Sequence, residues 1–201
     1  MKNQIKILAI LGVLLFGFLG FTTIDKRVII IDAGHGGHDY GATINGIQEK
    51  IISESIAQKI KTLNKDSNTE IVLLREGDHF MELSERTSTI NNLKPELVVS
   101  LHVGTNSNAT ANGVEVYVSS KNKTFNERSK MLAENVIEKI ASTGNLTKRK
   151  VSEAPFYILK NTECPAILVE MGYLSNEKDR NYITSESGQT EIAEKILESL
   201  K

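Results

Sequence analysis

Three short segments of this 201-residue chain carry side chains able to bind a metal or move a proton, and each lies where an apolar run stops. Asp32-Ala33-Gly34-His35-Gly36-Gly37 continues the run that begins at Val28, Ser100-Leu101-His102 closes the run from Leu97, and Leu168-Val169-Glu170-Met171-Gly172 closes the run from Ala166. Ligands of open α/β sheets gather beyond the carboxyl ends of the strands, so the three segments are expected to meet at one site. The glycines around His35 permit tight turns and close approach of backbone to whatever the imidazole holds. Glu170, at the end of an apolar strand beside Met171 and Gly172, has low-dielectric surroundings that favour a raised pKa, as general-base work requires. A histidine at a strand end is most often a hydrogen-bonding residue, and Glu49 taken alone reads as an acid well placed at a helix N-terminus. Taken together, His35, His102 and Glu49 with an open fourth position are the donor set of a hydrolytic zinc site, whereas a structural zinc is closed by four protein ligands.

The elements that must position these residues follow from periodicity. Val28–Asp32 is apolar up to its closing Asp32, as an interior strand covered on both faces should be. Glu49–Leu63 places Ile51, Ile52, Ile56, Ile60 and Leu63 on one side of a helix. Ile71–Leu74 and Leu97–Leu101 read as further strands, with a helix between them over Ser84–Leu93 that Ser84 is placed to cap. Val114–Val118 alternates, which suits a half-exposed strand near an edge or in an antiparallel pair. Arg128–Ala141 reads as a helix burying Met131, Leu132, Val136, Ile137 and Ile140. Phe156–Leu159 and Ala166–Glu170 are expected as the last two strands, and Glu191–Leu200 as a closing helix. The sum is an α/β domain of six strands and four or five helices, with no repeat or low-complexity linker.

Composition narrows the function classes. Lys plus Arg number 24 against 25 Asp plus Glu, which lacks the basic surplus needed to grip a phosphate backbone, so nucleic acid is not an expected partner. A single cysteine, Cys164, rules out an internal disulfide and a cysteine-built zinc cage. Residues 7–23 form seventeen consecutive uncharged, mostly apolar positions preceded by Lys2 and Lys6. That pattern fits a secretory signal peptide and also a retained membrane anchor, and no cysteine follows it to take a lipid. Residues 1–27 are accordingly expected as signal or anchor and residues 28–201 as one catalytic domain in the cell envelope, monomeric, and tethered through 7–23 if the segment is kept. The exported part then holds 20 basic and 24 acidic residues, a formal charge of −4.

The motifs Asp32-Ala-Gly-His35-Gly-Gly, Gly46-Ile-Gln-Glu49-Lys50, Leu74-Arg75-x-x-Asp78, Leu83-x-x-Arg86, Ser100-Leu-His102, Gly113-Val-Glu-Val-Tyr117, and Pro165-Ala-Ile-Leu-Val-Glu170-Met-Gly-Tyr-Leu-Ser-Asn176 with Asp179 occur in this order. In order and spacing the set resembles the zinc-dependent N-acetylmuramoyl-L-alanine amidases of bacterial cell walls, from Val28 to the C-terminus. The resemblance implies a mixed, mostly parallel sheet flanked by helices, zinc held by His35, Glu49 and His102, a catalytic Glu170, and peptidoglycan as substrate. Departures occur too. The polar residue that the family places just after the second histidine is absent here or shifted to Asn106. The stretch Ser119–Arg128 is too short for the inserted helix that plugs the zinc in many relatives. A catalytically silent peptidoglycan-binding or activator module, and an envelope peptidase or deacetylase, stand as alternative readings. His38 and His79 read as loop residues at a cleft rim, and Arg75 and Arg86 as loop-orienting partners of carboxylates, with Asp78 one such carboxylate. Cys164 beside Pro165 reads as a small buried apolar residue.

Overall fold

The computed structural model describes residues 26–201. The expected signal or anchor of residues 1–27 therefore lies almost wholly outside the described residues. The strands are β1 (Arg27–Ala33), β2 (Thr43–Ile44), β3 (Ile47–Gln48), β4 (Thr69–Leu73), β5 (Leu97–Gly104), β6 (Val114–Ser119), β7 (Lys148–Ala154) and β8 (Ala166–Tyr173). The helices are α1 (Glu49–Leu63), α2 (Leu83–Leu93), α3 (Asn126–Ala141), α4 (Tyr157–Asn161), α5 (Glu177–Ile183) and α6 (Glu186–Ser199).

Six strands form one mixed, mostly parallel sheet in the order β4-β1-β5-β8-β6-β7, and β2 with β3 makes a separate small hairpin. Within the large sheet only the β6/β8 pair is antiparallel. Alternate residues of the central strands feed two cores, which is why Val28–Ile31 of β1 and Leu97–Val99 of β5 are continuous apolar runs. On one face Ile29, Ile31, Val99 and Leu101 pack with Ile52, Ile56 and Ile60 of α1, Ile137 of α3 and Ile196 of α6. On the other, Ile30, Val98 and Leu168 pack with Ile90 of α2 and with Ile158 and Leu159 of α4. Each fully buried isoleucine of α1 contributes roughly 1.5–3 kcal/mol relative to leaving it in water, so the helix that starts with Glu49 is firmly seated.

Several local expectations are corrected. Ile51 and Met131 face solvent, 53% and 74% exposed, because the buried stripes of α1 and α3 run through Ser53 and Ala57, and through Ser129 and Ala133, instead. Glu82, extended, precedes α2, so Ser84 lies inside the first turn and caps nothing. Phe156–Leu159 is not a strand: Phe156 is the extended residue before α4, and Tyr157–Asn161 is helical. The sixth strand is β7, whose Lys148-Arg149-Lys150 start obscured any apolar pattern; lysine on an edge strand is a common protection against unwanted pairing. With β7 outside it, β6 is an interior strand, buried along nearly all its length, and the antiparallel alternative is the one realised. The additional short helix α5 brings the number of helices among the described residues to six.

Candidate metal centre and catalytic cleft

His35 leaves the end of β1 in a left-handed backbone conformation, φ 62°, which is uncommon for a residue with a side chain. Two buried guanidinium groups hold its carbonyl oxygen: Arg75 Nε donates at 3.0 Å and Arg86 Nη2 at 2.5 Å. Arg86 is anchored in turn on Asp32, whose other carboxylate oxygen accepts from Ser100 Oγ at 2.6 Å. Arg75, 1% exposed, pairs with Glu54 at 2.9 Å and donates to the carbonyls of Gly34, Lys50 and Gly77. Both arginines thus orient the loop, as expected. Asp78 pairs with neither of them: it accepts from Lys50 Nζ at 2.6 Å and from the Gly37 amide at 2.7 Å. Arg75 points under the loop, and Lys50, at the start of α1, reaches the far side of it.

His102 lies within β5, which continues to Gly104, and faces Glu170 of β8 in parallel register. Glu49 is the first residue of α1 and nearly fully buried. Its Oε1 lies 3.1 Å from His35 Nε2 and 2.8 Å from His102 Nδ1, and it accepts from the Val103 amide at 3.0 Å. Its Oε2 accepts from the Ala42 amide at 2.8 Å. One donor atom from each of His35, Glu49 and His102 lies within 4.8 Å of the others, and no other group of this kind occurs among the described residues. Close approach is possible because two positions lack side chains. A Cβ at Gly34 would stand 2.5 Å from the His102 ring, and one at Gly41, φ 63°, would stand 2.5 Å from Glu49 Oε2.

The electrostatics suit a cation. Burial alone would raise the Glu49 pKa, but hydrogen bonding to His102 and His35 outweighs it and keeps the carboxyl ionised. Burial alone would lower His35, yet Glu49 and Asp39 raise it to about 9. The pocket therefore attracts positive charge, and two imidazoles with one ionised carboxylate are the donor types that hold Zn²⁺, the bound cation taking the place of the proton on His35. Glu170 is the contrasting group. Its Oε2 is buried with no hydrogen-bond partner, and burial raises its pKa to about 7. A carboxyl so placed takes and returns a proton near neutrality.

Asp39 is a residue of the site that sequence reasoning missed. Its Oδ2 lies 2.8 Å from His35 Nδ1, leaving Nε2 to face Glu49, and its Oδ1 accepts from the Gly41 amide. A carboxylate four residues after a candidate ligand in a glycine-rich loop was the available signal. Glu115, inside the Gly113–Tyr117 motif but without a role there, sits directly across from Glu170 in the β6/β8 pair. Arg149 Nε, Ser152 Oγ and Tyr173 OH all donate to it. His38 and His79 are exposed, as expected of rim residues, and His38 stacks on Phe80 at 4.2 Å. Asn106 lines the cleft. Cys164 is buried and its thiol is pushed up to about 12 by desolvation, so thiolate chemistry has no support.

All four expected site residues line one cleft of about 850 Å³. Donors are pinned at one point while a proton acceptor stands free beside them, the division of labour found in metal-dependent hydrolases. Comparison with known proteins narrows that class: residues 29–201 match the family model described as N-acetylmuramoyl-L-alanine amidase, and the chain belongs to this family. A putative N-acetylmuramoyl-L-alanine amidase of Buchnera aphidicola is 31% identical, over 87% of this chain and 94% of its own length. The crystal structure of an N-acetylmuramoyl-L-alanine amidase from Clostridium difficile superposes with a TM-score of 0.82 at 30% identity, covering 88% of this chain and 95% of that one. The CwlD amidase of Clostridioides difficile, solved in complex with the GerS lipoprotein, superposes with a TM-score of 0.80 at 29% identity, covering 87% and 96%.

Proposed function

We propose that this chain is a zinc-dependent peptidoglycan hydrolase that cuts the amide between the lactyl group of N-acetylmuramic acid and the L-alanine opening the stem peptide. The observation that carries the reading is the pairing of a three-donor cluster, His35, Glu49 and His102, with the unpartnered Glu170 in the same cleft. Membership of the amidase family supplies the bond. Zinc, when held by the three donors, polarises a carbonyl and makes water easier to deprotonate.

The chain's own residues supply the rest. Glu49 and the two imidazoles keep their donor atoms converged, and Asp39 keeps the His35 ring turned so that Nε2 faces inward. Glu170 accepts the proton of the attacking water on its free carboxylate oxygen and delivers it to the departing amine, so that one group serves both halves of the hydrolysis. Arg75 and Arg86 hold the His35 backbone and touch no substrate in this scheme.

Residues 28–201 act as the catalytic domain, and residues 1–27 direct the chain to the envelope, where residues 7–23 are removed or serve as a tether. No helix of the described residues is long and apolar enough to cross a membrane. Mass spectrometry of digested cell walls tests the reading: free stem peptides beginning with L-alanine are expected. Shortened stems would make the protein a peptidase, acetate release a deacetylase, and unchanged walls a silent module. Metal analysis of His102→Ala tests the donor set, and full stoichiometric zinc in that variant would remove His102 from it.

A further inference from the structure

The described residues contain eight phenylalanines and tyrosines, and five of them line the catalytic cleft: Phe80, Tyr117, Phe156, Tyr157 and Tyr173. Neither the metal cluster nor Glu170 needs them. Where α2 and α4 begin, the cleft is walled by side chains that remain open to water although they are apolar: Leu83 is 52% exposed, Phe156 39% and Tyr157 43%. These are three of only seven large apolar side chains so exposed among the described residues, and their gathering at one place marks a surface made to be covered. The wall is also rigid. Phe156 stands edge-on to Tyr117 at 5.2 Å, and Ile158 and Leu159 behind it are buried in the core between sheet and helices.

We infer that this aromatic wall is a glycan subsite, which takes the N-acetylated sugar next to the muramyl residue whose amide is cut; the inference rests on the amidase reading for the identity of the polymer. Two observations choose sugar over peptide. First, the wall is continuous with the reactive centre, and a residue cut from within a polymer must have its neighbours accommodated along the same cleft. Second, Glu82 is the one charged side chain in segments 80–83 and 156–158, and Arg86, the cation that lines the cleft nearby, is already paired with Asp32, so this end offers an anionic stem peptide no free cation and some repulsion. A neutral hexosamine has no such conflict. Its ring presents C–H groups to an aromatic face and its acetyl methyl to leucine and methionine, while its hydroxyls stay in water. Elsewhere in the cleft, Thr105 and Asn106 have the polar groups that a peptide backbone requires.

The test is calorimetric titration without turnover, on the full chain, with chitotetraose as a neutral, peptide-free glycan and a free stem tripeptide as the second probe. Wild type is expected to bind chitotetraose, and Phe156→Ala/Tyr157→Ala to bind it at least tenfold more weakly while its tripeptide affinity stays within about twofold. Phe156 and Tyr157 are outside the buried core, so at most a small shift of the thermal transition should accompany the loss, and Leu83→Asn provides a second, independent lesion on the same wall. Absence of chitotetraose binding by wild type, equal glycan affinity in the folded variants, or a loss confined to the tripeptide would each overturn the inference. Because the titration involves no bond cleavage, its outcome is independent of the cell-wall digest: a protein that binds glycan through the wall and releases no stems would sink the amidase reading and leave the subsite standing.

Discussion

Two carboxylates face one another across the β6/β8 pair and live under opposite regimes. Glu115 is almost completely buried, receives hydrogen bonds from Arg149, Ser152 and Tyr173, and has its pKa lowered because these donors outweigh its burial. Glu170, its direct neighbour in register, has a buried oxygen with no donor, and burial pushes its pKa up to about 7. The contrast extends to the two halves of the sheet. In the parallel half two of the three cluster groups are held from outside it: Asp39 lies behind His35, two amides sit on Glu49, and two guanidinium groups on the His35 carbonyl. Those groups have several partners, and the group assigned to proton exchange in the proposed reaction has none.

The sharpest way to break the comparison is Glu170→Gln. Size and hydrogen-bonding reach are kept, the proton acceptor is lost, and turnover should fall by roughly two to four decades with zinc content and thermal transition unchanged. Turnover near wild type would show that the free carboxylate is not the proton carrier. Next in size is the pair of arginines. Arg86→Leu leaves Asp32, 2% exposed, without its counter-ion and should lower the unfolding free energy by about 3–5 kcal/mol. Arg149→Leu, by contrast, removes a partly exposed partner from a Glu115 that retains Ser152 and Tyr173, and should cost only about 1–2 kcal/mol. Urea unfolding midpoints compare the two directly; equal losses would erase the distinction between a sealed and an open ion pair.

Smaller still is Asp39→Asn, which removes the charge behind His35 and should weaken zinc binding by about 10- to 100-fold, read by competition with a chelator at unchanged fold. The least effect is expected from added envelope extract. Six residues, 120–125, join β6 to α3, too few for a helix stable enough to plug the site. The purified, zinc-loaded chain should therefore release dye-labelled peptidoglycan at the same initial rate, within about twofold, with or without extract. Silence until extract is added would show that control is built in elsewhere.

Much of this was legible in residue order. The apolar strands β1, β5 and β8 and the α1 stripe Ile52, Ile56 and Ile60 follow from period and hydrophobicity, because an interior strand or a seated helix needs a specific spacing of apolar groups and little else. The candidate donors were legible only as a set: each has an ordinary structural use taken singly, but imidazoles and carboxylates at strand ends and a helix start are sent to one edge together by the parallel topology. What the spacing could not reveal were contacts between distant parts of the chain. Strand β7, rich in charge, has no apolar signature and is a strand only because β6 offers it an edge. Phe156–Leu159 carries strand-like residues but turns into a helix against α2 and the sheet. The partner of Asp78 is Lys50, twenty-eight positions away, and across the β6/β8 pair the donors Arg149 and Tyr173 go to Glu115 while Glu170 Oε2 has none. Sequence determines which groups are available and which local periods the backbone adopts. Tertiary packing decides which of those groups are satisfied, since burial and hydrogen-bond competition are properties of the assembled neighbourhood and of no single segment.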